Sequence, residues 1–285
     1  MIEQLRFIRL PVVEIEAALG FARGLIGLEL SETDKGLARL RCDDKLYALE
    51  YNSSEPQAKP AVAFEVRTPK VLAEVRERLV SLGLRVEDIP PDLAQARRHR
   101  DSFAFEDFSG NRFEIVTRHQ NKALRHFPTR DCGITGLSSV SLRSTHVARD
   151  AEIWAEVFGL SIRDYVGDAV YLGHDDHHHR LSLHPSDRPG IIQIAFDLED
   201  LNNLMQNYYY LSSHQVRLLH GPGKLPCSGE SFVTFEGPEG VGYRLVLQPE
   251  VPTWQSRPRQ FSDAPASHCS WGSPSLIPEL GGQEV

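Results

Sequence analysis

The chain has 285 residues, 41% hydrophobic and 25% charged, with a net charge of −8 at pH 7. That length suffices for about two domains with a real core. The acidic balance excludes a nucleic-acid or anionic-membrane surface, which needs clustered Lys and Arg. Met1-Ile-Glu-Gln-Leu lacks a basic stretch leading into an apolar one, so no signal peptide is expected. No apolar run approaches the roughly 18 residues of a membrane span. Cys42, Cys132, Cys227 and Cys269 lie without CxxC spacing, which reads as reduced thiols in a cytoplasmic protein rather than a disulfide framework.

Four segments follow one grammar: a short apolar strand, an amphipathic helix, then two or three strands. The first opens at Leu5-Arg-Phe-Ile-Arg-Leu, and its helix ends in Gly24-Leu-Ile-Gly-Leu. The second opens at Ala61-Val-Ala-Phe-Glu-Val, continues through a helix from Val71 with apolar residues every three or four positions, and closes on Asn111-Arg-Phe-Glu-Ile-Val. Leu137-Ser-Ser-Val-Ser-Leu opens the third, whose helix ends in Val157-Phe-Gly-Leu. Ile192-Gln-Ile-Ala-Phe-Asp-Leu opens the fourth, which closes on Gly242-Tyr-Arg-Leu-Val-Leu. Spacing supports a repeat: Phe7 to Ala61 and Ser139 to Gln193 are both 54 residues, and Ala61 to Glu114 is 53 against 51 for Gln193 to Arg244. The pattern predicts an α+β fold of tandem βαβββ modules, four in all. The N-terminal domain covers 1–120, a linker 121–133, the C-terminal domain 134–250 and a Pro-rich tail 251–285.

Pro252, Pro258, Pro265, Pro274 and Pro278 make a regular helix or strand unexpected in that tail. Trp254, Phe261 and Trp271 suggest that part of it packs on the body, with disorder expected for the last ten or so residues. The stripe Tyr208-Tyr-Tyr-Leu reads as core and interface packing.

These motifs resemble the vicinal oxygen chelate superfamily, and within it the two-domain extradiol dioxygenases that cleave catechols. The helix ends Leu25-Ile-Gly-Leu and Val157-Phe-Gly-Leu carry the resemblance. So do His178-His-Arg-Leu-Ser-Leu before Gly190-Ile-Ile-Gln-Ile-Ala-Phe, the loop Gly221-Pro-Gly-Lys-Leu-Pro-Cys-Ser-Gly, the turn Phe235-Glu-Gly-Pro-Glu-Gly, and Arg257-Pro-Arg-Gln-Phe in the tail. It implies two half-open barrels with Fe(II) in the C-terminal one, held by two His and one Glu that leave positions for catecholate and oxygen. Aligned on these motifs, the ligand positions read Ser139, Gln193 and Arg244. A hydroxyl and an amide are weak ligands for Fe(II), and a guanidinium has no lone pair to give. The expectation is therefore no metal and no cofactor. The N-terminal equivalents Phe7, Ala61 and Glu114 cannot hold a metal either, and Glu114 reads as a strand-end surface or hydrogen-bonding residue.

The resemblance also places Leu225 and Thr234 where the family carries substrate-orienting His and Tyr. It aligns His178 with an acid–base His, although a run of three His is equally a polar loop. An inward Arg244 needs an anion, supplied by a ligand or by a carboxylate such as Glu230 or Glu236. The candidate catalytic pair is His178 and Arg244, with Ser139, Gln193, Leu225, Cys227 and Thr234 as substrate-binding residues. Cys227 is a nucleophile only if Lys224 or a His lowers its pKa. His174, His177, His184, His214 and His220 show no metal-ligand spacing.

The expected activity is metal-independent acid–base or carbon–carbon bond chemistry on a small aromatic or anionic metabolite. The alternatives are a non-catalytic binding module and an iron dioxygenase whose ligands lie elsewhere. Relatives commonly assemble, so a homo-oligomer is expected, without nucleic-acid or membrane partners.

Overall fold

A computed structural model describes residues 1–251, 255 and 257–283. Trp254 lies outside the described residues. Met1–Arg130 together with Ala148–Leu160 form one compact unit, and Asp131–Val147 with Ser161–Val285 form the other.

The first unit carries β1 (Ile2–Pro11), α1 (Ile15–Gly20), β2 (Glu29–Asp34), β3 (Leu37–Arg41), β4 (Leu49–Asn52), β5 (Ala61–Val66), α2 (Pro69–Ser81), β6 (Val86–Asp88), α3 (Pro91–Ala96), β7 (Asp101–Glu106) and β8 (Arg112–Thr117). The eight strands form one sheet in the order β2-β3-β4-β1-β5-β8-β7-β6. The short helix α3 is an insertion in the second module. Side chains from opposite ends of the sheet meet: Arg98, just after α3, pairs with Glu32 on β2 at 2.9 Å. The sheet is therefore curled.

Helix α2 forms where the sequence predicts it, starting at Pro69. Thr68 caps it by accepting from Val71 N, and Pro69 supplies a preset φ at a position that needs no donor. It buries Leu72, Val75 and Leu79, one face at helical spacing. The segment Ala148–Leu160 adds Trp154, which is fully buried, with ring centroids 4.8 Å from Phe64 and 4.7 Å from Phe113.

The second half of the chain repeats the plan with β9 (Ile134–Ser144), α4 (Val147–Glu152, nearly all of it in the segment that joins the first unit), β10 (Ser161–Val166), β11 (Ala169–Gly173), β12 (Leu181–Pro185), β13 (Gly190–Leu198), α5 (Leu201–Ser213), β14 (Leu218–Lys224), β15 (Ser231–Glu236) and β16 (Gly242–Leu247). Its sheet order is β14-β15-β16-β13-β9-β12-β11-β10-β17, where β17 (Arg259–Phe261) is an added edge strand. Asp200 caps α5 through Asn203 N as Thr68 caps α2. Four βαβββ modules thus appear as the repeat predicts. The registers agree too: Ala63 faces Glu114 between β5 and β8, and Ala195 faces Arg244 between β13 and β16.

The tail departs from expectation. Besides β17 it forms α6 (Pro265–His268) and a helical turn at Pro278–Leu280. Its last ten residues are not loose as far as they are described: Ile277 and Leu280 pack with Ile192 and Leu219, and Glu279 pairs with Arg143. Pro265 and Pro278 sit at helix starts, where the missing N–H costs nothing. Trp271 is half exposed, whereas Phe261 packs on the core. The tyrosine stripe is not core. Tyr209 is exposed and Leu211 alone of that run is buried, because the buried face of α5 is Leu204, Asn207 and Leu211. All four cysteines are buried thiols outside any disulfide. No helix among the described residues is long and apolar enough to cross a membrane.

Candidate functional site

Strand alternation decides what points into the second barrel. Successive side chains on a strand face opposite ways, so Ser139 and Ser141 on β9, Gln193 and Ala195 on β13, and Arg244 on β16 share the inner face. Ser139 and Arg244 both flank Ala195, while Gln193 faces Ser141. Gln193 Nε2 donates to Ser141 Oγ at 3.2 Å and its Oε1 accepts from Thr234 at 3.5 Å. Ser141, Tyr171, His179, His184, Gln193, His220, Leu225, Glu230, Arg244, His268 and Leu280 enclose a space of about 10 Å³, room for one water.

Arg244 is 3% exposed. Its Nη2 donates to Glu230 Oε1 at 2.8 Å, and its guanidinium lies 3.6 Å from the Phe232 ring centroid. Nε of Arg244 and Nδ1 of both His184 and His220 are buried and have no hydrogen-bond partner among the described residues, three polar atoms on residues that line the same small space. Burial pushes His184 and His220 down to about pKa 3, so both are neutral imidazoles near pH 7.

His178 stands elsewhere. It is 3% exposed, its Nε2 is 2.8 Å from Asp164 Oδ2, and its Nδ1 is 3.2 Å from Nδ1 of His179. Gly173 permits this, since a Cβ there would come within 2.7 Å of the His178 carbonyl oxygen. Asp164 also accepts from the Arg259 backbone at 2.7 Å and from its guanidinium, which is how β17 is tied to β10. Burial alone would raise the Asp164 carboxyl, but the bonds from His178 and Arg259 outweigh it and hold it below its usual range.

An ionised Asp164 takes the Nε2–H of His178. One hydrogen lies between Nδ1 of His178 and Nδ1 of His179. The His179 imidazole borders the space. Burial holds His179 well below its ordinary pKa, in keeping with a neutral ring.

Of the residues singled out by sequence, Gln193, Leu225 and Arg244 border the space. Ser139 is one level away and its neighbour on the same face, Ser141, takes its place; period-two alternation along β9 carries that signal. Thr234 reaches it only through Gln193. Cys227 lies wholly inside an apolar cluster with Tyr171, Ala195 and Phe232, where burial pushes its thiol well above the usual range, the opposite of the activation a nucleophile needs. His179 was one residue from the His singled out. His268 and Leu280 come from the tail, where nothing in the sequence announces them.

The first unit holds the opposite charge at the matching place. Glu114 is fully buried, not a surface residue, and accepts from Arg9 and from Arg97 at 3.0 Å. Burial would raise its carboxyl, but the two guanidinium groups outweigh that and lower it.

Comparison with known proteins places this architecture. The model of the glyoxalase/bleomycin resistance protein/dioxygenase superfamily matches residues 4–115 and again 136–245. The chain belongs to that superfamily. A curated relative, the iron-dependent extradiol dioxygenase of Rhodococcus jostii strain RHA1, is 23% identical over 224 residues, covering 71% of this chain and 75% of that protein. Among solved structures, the halotolerant catechol dioxygenase BphC superposes with a TM-score of 0.86 at 16% identity, over 98% of this chain and 97% of that one. The Mn(II)-bound glyoxalase of Novosphingobium aromaticivorans gives 0.86 at 19% identity, over 100% and 95%. At these identities the superpositions establish the shared fold.

Iron and manganese in the names of such superfamily members prompt a test of the donor set here. Ser139, Gln193 and Arg244 do not fit a divalent metal. The last is a cation already engaged with Glu230, and a guanidinium has no lone pair to offer. Among the described residues, no group of three or more His, Cys, Asp or Glu is arranged to hold a metal ion.

Proposed function

We propose that the C-terminal barrel works without a metal, binding the anionic end of a small aromatic or other anionic metabolite and moving a proton on it. The observation that carries this reading is Arg244, a buried guanidinium inside the barrel with an unpartnered Nε–H. A buried cation with a spare donor favours an anion, and an oxyanion that develops during reaction would gain most from it. The chain Asp164–His178–His179 supports His179 as the base, oriented through His178 as an acid orients a catalytic imidazole. His178 then has a positioning role, and Gln193 with Ser141 supplies neutral hydrogen bonds to the ligand.

In this reading the pair with Glu230 is the resting state. A ligand carboxylate, enolate or phenolate takes the place of the Glu230 carboxylate, and the Leu225–Glu230 turn swings aside, because about 10 Å³ admits only a water-sized group. Isomerase, lyase or hydrolase chemistry fits these groups.

Metal content tests the proposal first. Protein made in iron-supplemented medium and purified without chelator should carry far less than one iron or manganese per chain by elemental mass spectrometry, and should give no yellow ring-cleavage product from catechol. Near-stoichiometric metal would overturn it. A second reading is favoured by the closed space itself: a non-catalytic module in which the Arg244–Glu230 pair plugs the barrel. Saturable binding of an anionic aromatic compound without its consumption selects that reading.

A further inference from the structure

The first unit contains a hollow of about 970 Å³, walled by β1, β2, β3, β4 and the α3 insertion, which is within the size of small-molecule sites. Its floor is a lattice of buried ion pairs. Arg9 Nε donates to Glu50 at 2.8 Å and Arg39 Nε to the same carboxylate at 2.7 Å. Arg9 and Arg97 share Glu114. Arg39 and Arg98 share Glu32. Four guanidinium groups, Arg9, Arg39, Arg97 and Arg98, thus meet three carboxylates, Glu32, Glu50 and Glu114, which leaves one positive charge unmatched in this lattice.

Arg97 has donors to spare. Nη1 donates to Glu114 and no other N–H of its guanidinium has an acceptor among the described residues. Its side chain is 15% exposed and lines the hollow. Nε and Nη2 form one edge of the guanidinium plane, the edge that a carboxylate caps with two parallel hydrogen bonds. Arg97 reaches this place because α3 ends there, and the next residue, Arg98, closes the helix at φ +64°, a conformation usually left to glycine. An arginine tolerated at that position keeps a second guanidinium at the mouth.

We propose that this hollow binds a small metabolite with one carboxylate, held bidentately by Nε and Nη2 of Arg97 with Arg9 and Arg39 behind it. One unmatched charge suits a monoanion. The acidic mouth, with Asp34, Glu55 and Asp92, repels a phosphate dianion and accommodates a distal ammonium. Nothing in this site depends on the C-terminal barrel.

The test is a calorimetric titration at low ionic strength with acetate, benzoate, glycine and inorganic phosphate on the full-length protein. At least one of the three monocarboxylates should bind saturably and more tightly than phosphate. Arg97→Gln should weaken it at least tenfold, and Arg97→Lys, which keeps the charge and the link to Glu114, should weaken it nearly as much because the fork is gone. Arg244→Gln should leave it unchanged. Circular dichroism checks that each variant is folded. The proposal fails if none of the three binds, if phosphate binds more tightly, if both Arg97 variants bind like the parent, or if Arg244→Gln abolishes binding, which would move the ligand to the other barrel.

Discussion

Arg244 and Glu230 meet at 2.8 Å with both side chains under 5% exposed, at the point in the second barrel where the sequence alignment puts a metal-binding carboxylate. Removing one partner strands the other. Glu230→Ala is expected to cost about 3–5 kcal/mol, as for breaking a buried pair, whereas the double replacement Arg244→Met with Glu230→Leu should cost much less. Urea midpoints of the two variants measure the difference. A double variant as unstable as the single would mean that the pair itself is not what the barrel depends on.

A second expectation concerns helix ends. Helices α2 and α5 are equivalent and finish alike: Leu84 N bonds Leu79 O with Gly83 N on Val80 O, and Val216 N bonds Leu211 O with Gln215 N on Ser212 O. The left-handed residue is Gly83 at φ +78° in one and Gln215 at φ +56° in the other. Gln215→Gly should stabilise the protein by about 1 kcal/mol, since a side chain in this conformation costs about 1–2 kcal/mol. Melting should rise by roughly 2–4 °C; no rise, or a fall, refutes the equivalence.

Acid should unfold the chain early. Burial lowers His99 to about pKa 4 and His184 and His220 to about 3, and pushes His179 and His119 down as well. Each is neutral when folded and takes up a proton on unfolding below about pH 6.5. Stability is thus complete above pH 6.5 and falls as pH drops from there toward the folded values, by about 1.4 kcal/mol per pH unit for each His. Asp107, pushed up to about 7 by burial and by Asp150, works in the opposite direction between pH 7 and 3.8 and offsets one of them. Denaturation midpoints measured from pH 7.5 to 4.5 should therefore fall steeply below 6.5. A flat profile would mean that these imidazoles are already protonated in the fold.

Leu280 borders the barrel space and is 4% exposed. Leu280→Ala should cost about 2–4 kcal/mol and enlarge the space. If the second barrel admits ligands through this wall, the variant binds benzoate or a larger anionic aromatic more readily, read by calorimetry.

How much of this was legible in the residues follows physical lines. The repeat was readable because each module must bury one helix face and alternate its strands, and those periods leave marks at Leu72, Val75 and Leu79 or at Ser139 and Ser141. That Arg244 stands inside the second barrel was readable from the period-two alternation of its strand. Which carboxylate met Arg244 was not, since Glu230 and Glu236 both lie near it in sequence. The tail was misread because proline was taken only as a breaker, whereas Pro265 and Pro278 start helical turns. The hollow of the first unit escaped notice because its arginines come from β1, β3 and the end of α3, far apart in the chain, and only the curled sheet gathers them.

The two sheets also end differently. In the second, β17 covers the outer edge of β10. In the first, no further strand among the described residues joins either edge, and the edges carry Glu29, Glu32 and Asp34 on β2 and Glu87 and Asp88 on β6. Charged side chains on an open edge discourage another chain from adding a strand. Copies crowded together thus meet acidic borders there, whereas in the second sheet the chain's own tail occupies the place beside β10 that a neighbour's strand would take.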